Sequence, residues 1–377
     1  MTPIDMAAIA AKVAWLAFAL GMLFGATAQR THFCTMGAFS DIFTMGDWSR
    51  MRQWLLAIAV AIIGTSLLAA AGSIDPAKSL YTGMRLNWLS HIASGAFFGF
   101  GMMIASGCGN KTLVRIGSGN LKSLVVFIVV GLTAFMTLRG MLAIPRTRLF
   151  DSQFIQLATR GDLPSMLAGA SAQAAGAAGN LRLIIGGVAA LLLLVFVFAG
   201  RDFRRRDAVV TNVTAGVVIG AIIVAAWYVS GHVGHVLEDP DTLQEAFVAT
   251  NTGRMEAFSF VAPFAYTLDL LMMWTDVSKI VTFGIAATLG VIAGSFVMAV
   301  AGGAFRWEGF GGAGDLAHHL VGAMLMGFGG VMALGCTIGQ GLSGIALLSL
   351  GSMLTLAGIV GGAYAAHRYQ SWRVERA

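Results

Sequence analysis

The sequence predicts an all-α polytopic membrane protein, one membrane domain of about nine transmembrane helices with broken or re-entrant elements. Composition, the spacing of apolar runs and an internal repeat carry that expectation. The 377 residues are 57% hydrophobic and 11% charged, with a mean hydropathy of +0.79, whereas soluble domains carry about 25% charged residues. So few charges cannot clothe a water-facing surface. The 49 glycines and six prolines fit helices packed through small residues, with breaks where backbone lines a cavity. The net charge of +6 sits in short basic runs beside apolar stretches rather than on one polar face, which speaks for membrane topology and against nucleic acid. The sequence contains no GxxxxGK[ST] loop, which argues against ATP-driven pumping by this chain alone.

Apolar windows long enough to cross about 30 Å of hydrocarbon lie near 12–29, 53–72, 88–107, 120–140, 181–200, 209–230, 279–302, 312–334 and 343–365. The first ends Ala26-Thr27-Ala28, which resembles a leader-cleavage site. Asp5 spoils the basic leader pattern and the next residues open a motif, so the run reads as a retained span. A further stretch, 257–275, is interrupted by Pro263 and Asp269 and reads as re-entrant. Connections 141–180 and 231–256 read as surface segments. Arg50 with Arg52, the run Arg201, Arg204, Arg205 and Arg206, and the terminal Arg368, Arg373 and Arg376 all fall on the cytoplasmic side if there are nine spans. The N-terminus is then outside and the C-terminus inside.

The repeat has an offset of 228. Gly-Phe-Gly at 99–101 matches 327–329, and His91, Ala105, Gly107 and Cys108 match His319, Ala333, Gly335 and Cys336. The chain reads as two half-repeats, 1–140 and 209–377, joined by 141–208, which holds a surface segment, one span and a basic loop. Five spans between equivalent helices make the halves inverted, an arrangement that places a solute site at their interface near the midplane.

Cys34, Cys108 and Cys336 are odd in number and far apart, which argues against a disulfide framework or a CxxC metal site. Each instead sits where an apolar span gives way to helix-breaking or polar residues: Arg30-Thr31-His32-Phe33-Cys34, Ser106-Gly107-Cys108-Gly109-Asn110-Lys111 and Gly335-Cys336-Thr337-Ile338-Gly339. Non-helical backbone at membrane depth is tolerated where it is packed in protein or lines a polar path. A thiol in apolar surroundings stays protonated, and a neutral S–H is a weak donor on a polarisable atom. Such a group suits an anion whose charge rests partly on sulfur. Dehydrating an anion demands more than weak thiol contacts, and helix N-termini after the breaks supply partial positive charge. Lys111 and Arg115 would steer the ion, or simply anchor a loop. Arg30 and Asp41 would pair across the first break. His91 and His319 lie about 25 Å along a helix from their cysteines and read as helix-packing residues. Two rival readings remain open: a redox or sulfur-transferring membrane protein with a persulfidated cysteine, and a soft-metal (Cu or Zn) transporter using Cys and Met.

Three ordered motifs, Gln29-Arg30-x-x-Phe33-Cys34 with Asp41, Gly107-Cys108 with Arg115, and Gly335-Cys336-x-Ile338-Gly339-x-Gly341-Leu342, resemble the YeeE/YedE family of sulfur-transport membrane proteins, its YeeE-like thiosulfate transporters in particular. The resemblance implies an hourglass-shaped bundle in a bacterial inner membrane. It implies no enzymatic activity and no cofactor; thiosulfate or a related sulfur anion passes along Cys34, Cys108 and Cys336 by S–H···S hydrogen bonds. It also implies a small TusA-like sulfurtransferase as a cytoplasmic partner. Gly107, Gly109, Gly335, Thr337, Gly339, Lys111, Arg115 and Arg30 complete the expected site. Lys111 stands where the family pattern has a small residue.

Overall fold

A computed structural model describes residues 6–174, 178–200, 203, 206–240, 242–276 and 278–376. Asp5, Arg201, Arg204 and Arg205 lie outside the described residues. In chain order the helices are α1 (Met6–Thr31), α2 (Thr35–Met45), α3 (Ser49–Ala70), α4 (Trp88–Ile104), α5 (Gly109–Gly117), α6 (Leu121–Arg139), α7 (Ala143–Pro145), α8 (Leu163–Ala174), α9 (Ala178–Ala199), α10 (Arg206–Tyr228), α11 (Val261–Met272), α12 (Phe283–Ala301), α13 (Ala313–Met332) and α14 (Leu350–Arg376). Two ribbons of two residues per strand complete the fold: β1 (Arg85–Leu86) pairs antiparallel with β2 (Ile155–Gln156), and β3 (His235–Val236) with β4 (Ala246–Phe247).

Among the described residues, eight helical stretches are long and apolar enough to cross a membrane. The predicted ninth span, 312–334, is α13, whose 20 residues reach about 30 Å but are diluted by Asp315, His318 and His319. The stretch 257–275 yields only the 12-residue α11, about 18 Å long, too short to cross. The last span differs from its predicted bounds: the chain winds a π-helical turn at Gly339–Gly344, and α14 begins only at Leu350 and runs on to Arg376.

Glycines set the closest helix contacts. A Cβ on Gly25 would lie 2.1 Å from the Val291 carbonyl oxygen, and one on Gly21 2.4 Å from that of Ala287, so α1 and α12 run parallel at near backbone contact. A Cβ on Gly99 would meet the Ile359 carbonyl oxygen at 2.2 Å and one on Gly362 that of Ala96 at 2.1 Å, which packs α4 along α14 in the same way.

The repeat is present in the backbone. Helix α4 ends with Gly107 N–H donating to the Met102 carbonyl and Ser106 N–H to that of Met103; α13 ends with Gly335 donating to Gly330 and Leu334 to Val331. This is the Schellman pattern of helix termination. The π turn adds one residue, so the offset becomes 229: Asn120 caps α6 through Ser123 N–H at 2.9 Å, and Ser349 accepts from Ser352 N–H at 3.4 Å at the start of α14. The equivalent α4 and α13 pack antiparallel, Gly101 against Gly322, Gly329 against Ser94, and Ser90 against Met332.

Helix ends alternate between two faces. At one face Asp41 pairs with Arg50, and Arg52 lies over Phe196. Phe43 meets Tyr364 and His367, Arg373 meets His318, and Lys122 pairs with Asp315. The ends of α4, α9, α12 and α14 and the starts of α3, α6, α10 and α13 therefore gather at a basic face. At the opposite face Val13 packs near Gly234.

Candidate functional site

Each cysteine follows a left-handed residue by two positions. His32 (φ 53°), Ser106 (φ 53°) and Leu334 (φ 59°) hold this conformation without being glycine, at about 1–3 kcal/mol each. The left-handed residue terminates one helix and turns the chain so that the cysteine begins the next segment. Cys34 caps α2, and its sulfur accepts the Gly37 N–H at 3.4 Å. Cys108 caps α5. The Lys111 and Gly339 N–H groups stand in the same i+3 relation to the sulfurs of Cys108 and Cys336. The Phe260 N–H, from the segment entering α11, also reaches Cys336. Each thiol thus lies in the partial positive charge of a helix start.

The three breaks meet. The Cys34 and Cys108 side chains interact directly. A Cβ placed on Gly109 would lie 3.8 Å from the Cys336 β-carbon and 3.5 Å from that of Phe260. All three thiols are free and buried, Cys108 and Cys336 fully. The Cys108 S–H donates to the Asn110 side-chain oxygen.

On the basic face, a cavity of about 280 Å³ is lined by Lys111, Arg115, His32, Asn120, Arg306 and Glu308 among others, with His32 two residues before Cys34 and Lys111 three after Cys108. Arg115 donates to the Ser106 carbonyl at 2.8 Å, bracing the left-handed turn. The Asn120 amide and the Arg306 guanidinium hold the Glu308 carboxyl below its ordinary range, and Arg306 pairs with it at 2.6 Å. This cavity's one carboxylate is therefore matched, and Lys111 and Arg115 leave the wall net positive. On the opposite side a cavity of about 50 Å³ is lined by Tyr81, Ser259, Glu256, Tyr266 and Leu334 among others. Gly339 closes against it: a Cβ there would lie 2.7 Å from the Ser259 hydroxyl and 3.2 Å from that of Tyr81.

The predicted residues divide. Gly107, Gly109, Lys111, Arg115, Gly335, Thr337 and Gly339 accompany the thiols, although a Cβ at Gly107 meets only ordinary contacts, the nearest at 3.6 Å. Arg30 does not join them. It is exposed at the end of α1, beside a separate cleft with Thr27, Thr31, Thr211 and Thr214, and the expected Arg30–Asp41 pair is replaced by Arg50–Asp41 at 3.2 Å. Gly46 (φ 68°) turns the chain from α2 into α3 and brings Arg50 back onto α2. His91 packs between helices, bonded to Thr355 at 2.8 Å, and His319 bonds to the Asp315 carbonyl. Sequence reasoning passed over Asn110, Thr35, Ser259 and Tyr81; Asn110 stands inside the second cysteine segment and Thr35 directly after Cys34, where a polar residue beside a cysteine was the available signal. Among the described residues no group of three or more His, Cys, Asp or Glu side chains is placed to hold a metal.

The sulphur-transport family profile matches residues 30–365, from just before the first break through most of α14. The thiosulfate transporter TsuA of Escherichia coli (strain K12) is 25% identical over 374 residues, covering 94% of this chain and 92% of that protein. The thiosulfate transporter TsuA of Spirochaeta thermophila is 24% identical over 342 residues, covering 90% and 94%. The match takes in all three cysteine breaks and most of the chain, and the protein is a transporter that belongs to the sulphur-transport family.

Proposed function

We propose that this chain imports thiosulfate across a bacterial inner membrane along a path formed by Cys34, Cys108 and Cys336. The observation that carries the reading is the meeting of three buried thiols, each at a strained left-handed break and each at a helix start. Thiosulfate bears its charge on a terminal sulfur and three oxygens. A protonated thiol offers that sulfur a weak, polarisable donor, while helix N-termini offset part of the lost hydration. Conduction requires contacts weak enough to release the ion to the next site. The net positive cavity at Lys111 and Arg115 stands on the basic face, which the positive-inside rule makes cytoplasmic. It would draw the anion inward and present it to a TusA-like sulfurtransferase.

The test is uptake of labelled thiosulfate into cells lacking other routes. Cys34→Ser, Cys108→Ser and Cys336→Ser should each lower uptake about tenfold or more, because a harder hydroxyl replaces the soft contact to sulfur, with membrane levels of the protein unchanged. Native uptake in all three would reject the relay. Reconstituted vesicles separate transport from sulfur transfer: mass spectrometry after turnover should find unmodified thiols, and a persulfide on any of them would favour the sulfur-transferring reading.

A further inference from the structure

Among the described residues, the side-chain polar atoms that are buried without a hydrogen-bond partner include Thr35 Oγ1, Asn110 Nδ2 and Thr337 Oγ1, and all three residues are 0% exposed. Each stands one or two positions after a cysteine of the path, one for each thiol. An unmade buried hydrogen bond costs about 1–3 kcal/mol, so three at one constriction need a reason.

Six other buried threonines in the helices show what is missing. Thr65, Thr112, Thr137, Thr267, Thr288 and Thr355 all donate to the carbonyl four residues back, the ordinary outlet for a helical hydroxyl. Thr35 begins α2, and Thr337 follows Cys336 directly after the second Schellman break. Their i−4 residues, Thr31 and Ala333, belong to the preceding helix or its cap, on the far side of the left-handed turn. The geometry that strains His32 and Leu334 therefore also frees these two hydroxyls. Asn110 reaches the same condition by another route. Its oxygen takes the Cys108 S–H, which leaves the amide N–H₂ without a partner.

We propose that Thr35, Asn110 and Thr337 are the donors that hold the oxygen-bearing end of thiosulfate at the three successive stations, while the adjacent thiol meets its terminal sulfur. This deepens the transport reading above and rests on it. A two-ended contact discriminates in both directions. Sulfate lacks the soft sulfur for the thiol, and hydrosulfide lacks the oxygens that would satisfy the three donors. A site built to donate to an absent group rejects the analogue that lacks it, because its own donors stay unpaired.

The test is the kinetics of labelled-thiosulfate uptake for Thr35→Val, Asn110→Leu and Thr337→Val, with the amount of protein in the membrane measured alongside. Each substitution should raise KM about tenfold, and Thr35→Ser and Thr337→Ser, which keep the hydroxyl, should stay near the native KM. Native KM in the two valine variants, with uptake by Cys34→Ser still lowered, would overturn the proposal. So would a fall in protein level and maximal rate without a change in KM, which marks a purely structural role. Should a valine or leucine variant fail to insert, Asn110→Asp decides: its size is nearly unchanged, and a carboxylate beside Cys108 should abolish uptake, whereas native uptake would refute the donor role. A native chain that carries no thiosulfate at all would instead fail the transport reading itself.

Discussion

At the scale of single residues, the path depends on small side chains as much as on thiols. Gly109 has no steric reason within the fold to be glycine, since a Cβ there would meet its neighbours at ordinary distances of 3.5 and 3.8 Å. What a side chain would occupy is the gap between the Cys108 and Cys336 stations. Gly109→Ala should therefore fold normally and carry thiosulfate, while Gly109→Leu should reach native membrane levels and lose at least about nine-tenths of uptake, measured with labelled ion. Lys111 was legible as a departure from the family pattern but not as part of a wall. It shares a face of α5 with Arg115 because the two are four residues apart, and the break after Ser106 starts the helix that carries that face to the cavity. The Arg30–Asp41 expectation failed for a similar reason. Separation along the chain could not reveal that Gly46 folds α3 back and delivers Arg50 to Asp41 first.

At the scale of elements, the helix pairs α1·α12 and α4·α14 are held by glycines against carbonyl oxygens at distances no Cβ tolerates. Close approach of this kind is what joins helices in lipid, where apolar burial gives no net drive. Gly25→Val and Gly362→Val should each push a helix pair apart and lower stability by about 1–3 kcal/mol or more, read as an earlier thermal transition in detergent. Gly72→Ala, at an exposed turn with nothing within 4 Å of a Cβ but with φ 69°, should cost about 1 kcal/mol through backbone strain alone. Sequence pattern located these helices because their apolar runs are long. It placed the start of the last one too early because 343–349 reads as part of an apolar span, whereas the end of the π turn and the left-handed Leu348 spend those residues on the break.

At the scale of the whole molecule, the alternation of helix ends between two faces fits nine crossings and a re-entrant α11. The Phe260 end of α11 approaches Cys336 in the interior, while Asp269, near its other end, pairs with Lys279. A fluorescent protein fused after α14 should light up in the cytoplasm, and a protease site inserted between the exposed Leu243 and Gln244 should be cut from outside the cell. Cleavage from the cytoplasmic side would reverse the orientation. The antiparallel packing of α4 on α13 gives the two repeat elements opposite directions while setting Cys108 and Cys336 on the two sides of one constriction.

Composition and apolar run length by themselves determined that this chain is a helical membrane protein, because the cost of dehydrating backbone and charge leaves few alternatives at 57% hydrophobic residues. The offset repeat and the three cysteine segments were likewise legible, since each break is written in local residues. Only the tertiary structure decided that the breaks converge, that Arg50 rather than Arg30 holds Asp41, and that Thr35 Oγ1, Asn110 Nδ2 and Thr337 Oγ1 lie buried without hydrogen-bond partners. The convergence joins segments tens to hundreds of residues apart, and the glycine contacts that set their meeting act in three dimensions rather than along the chain.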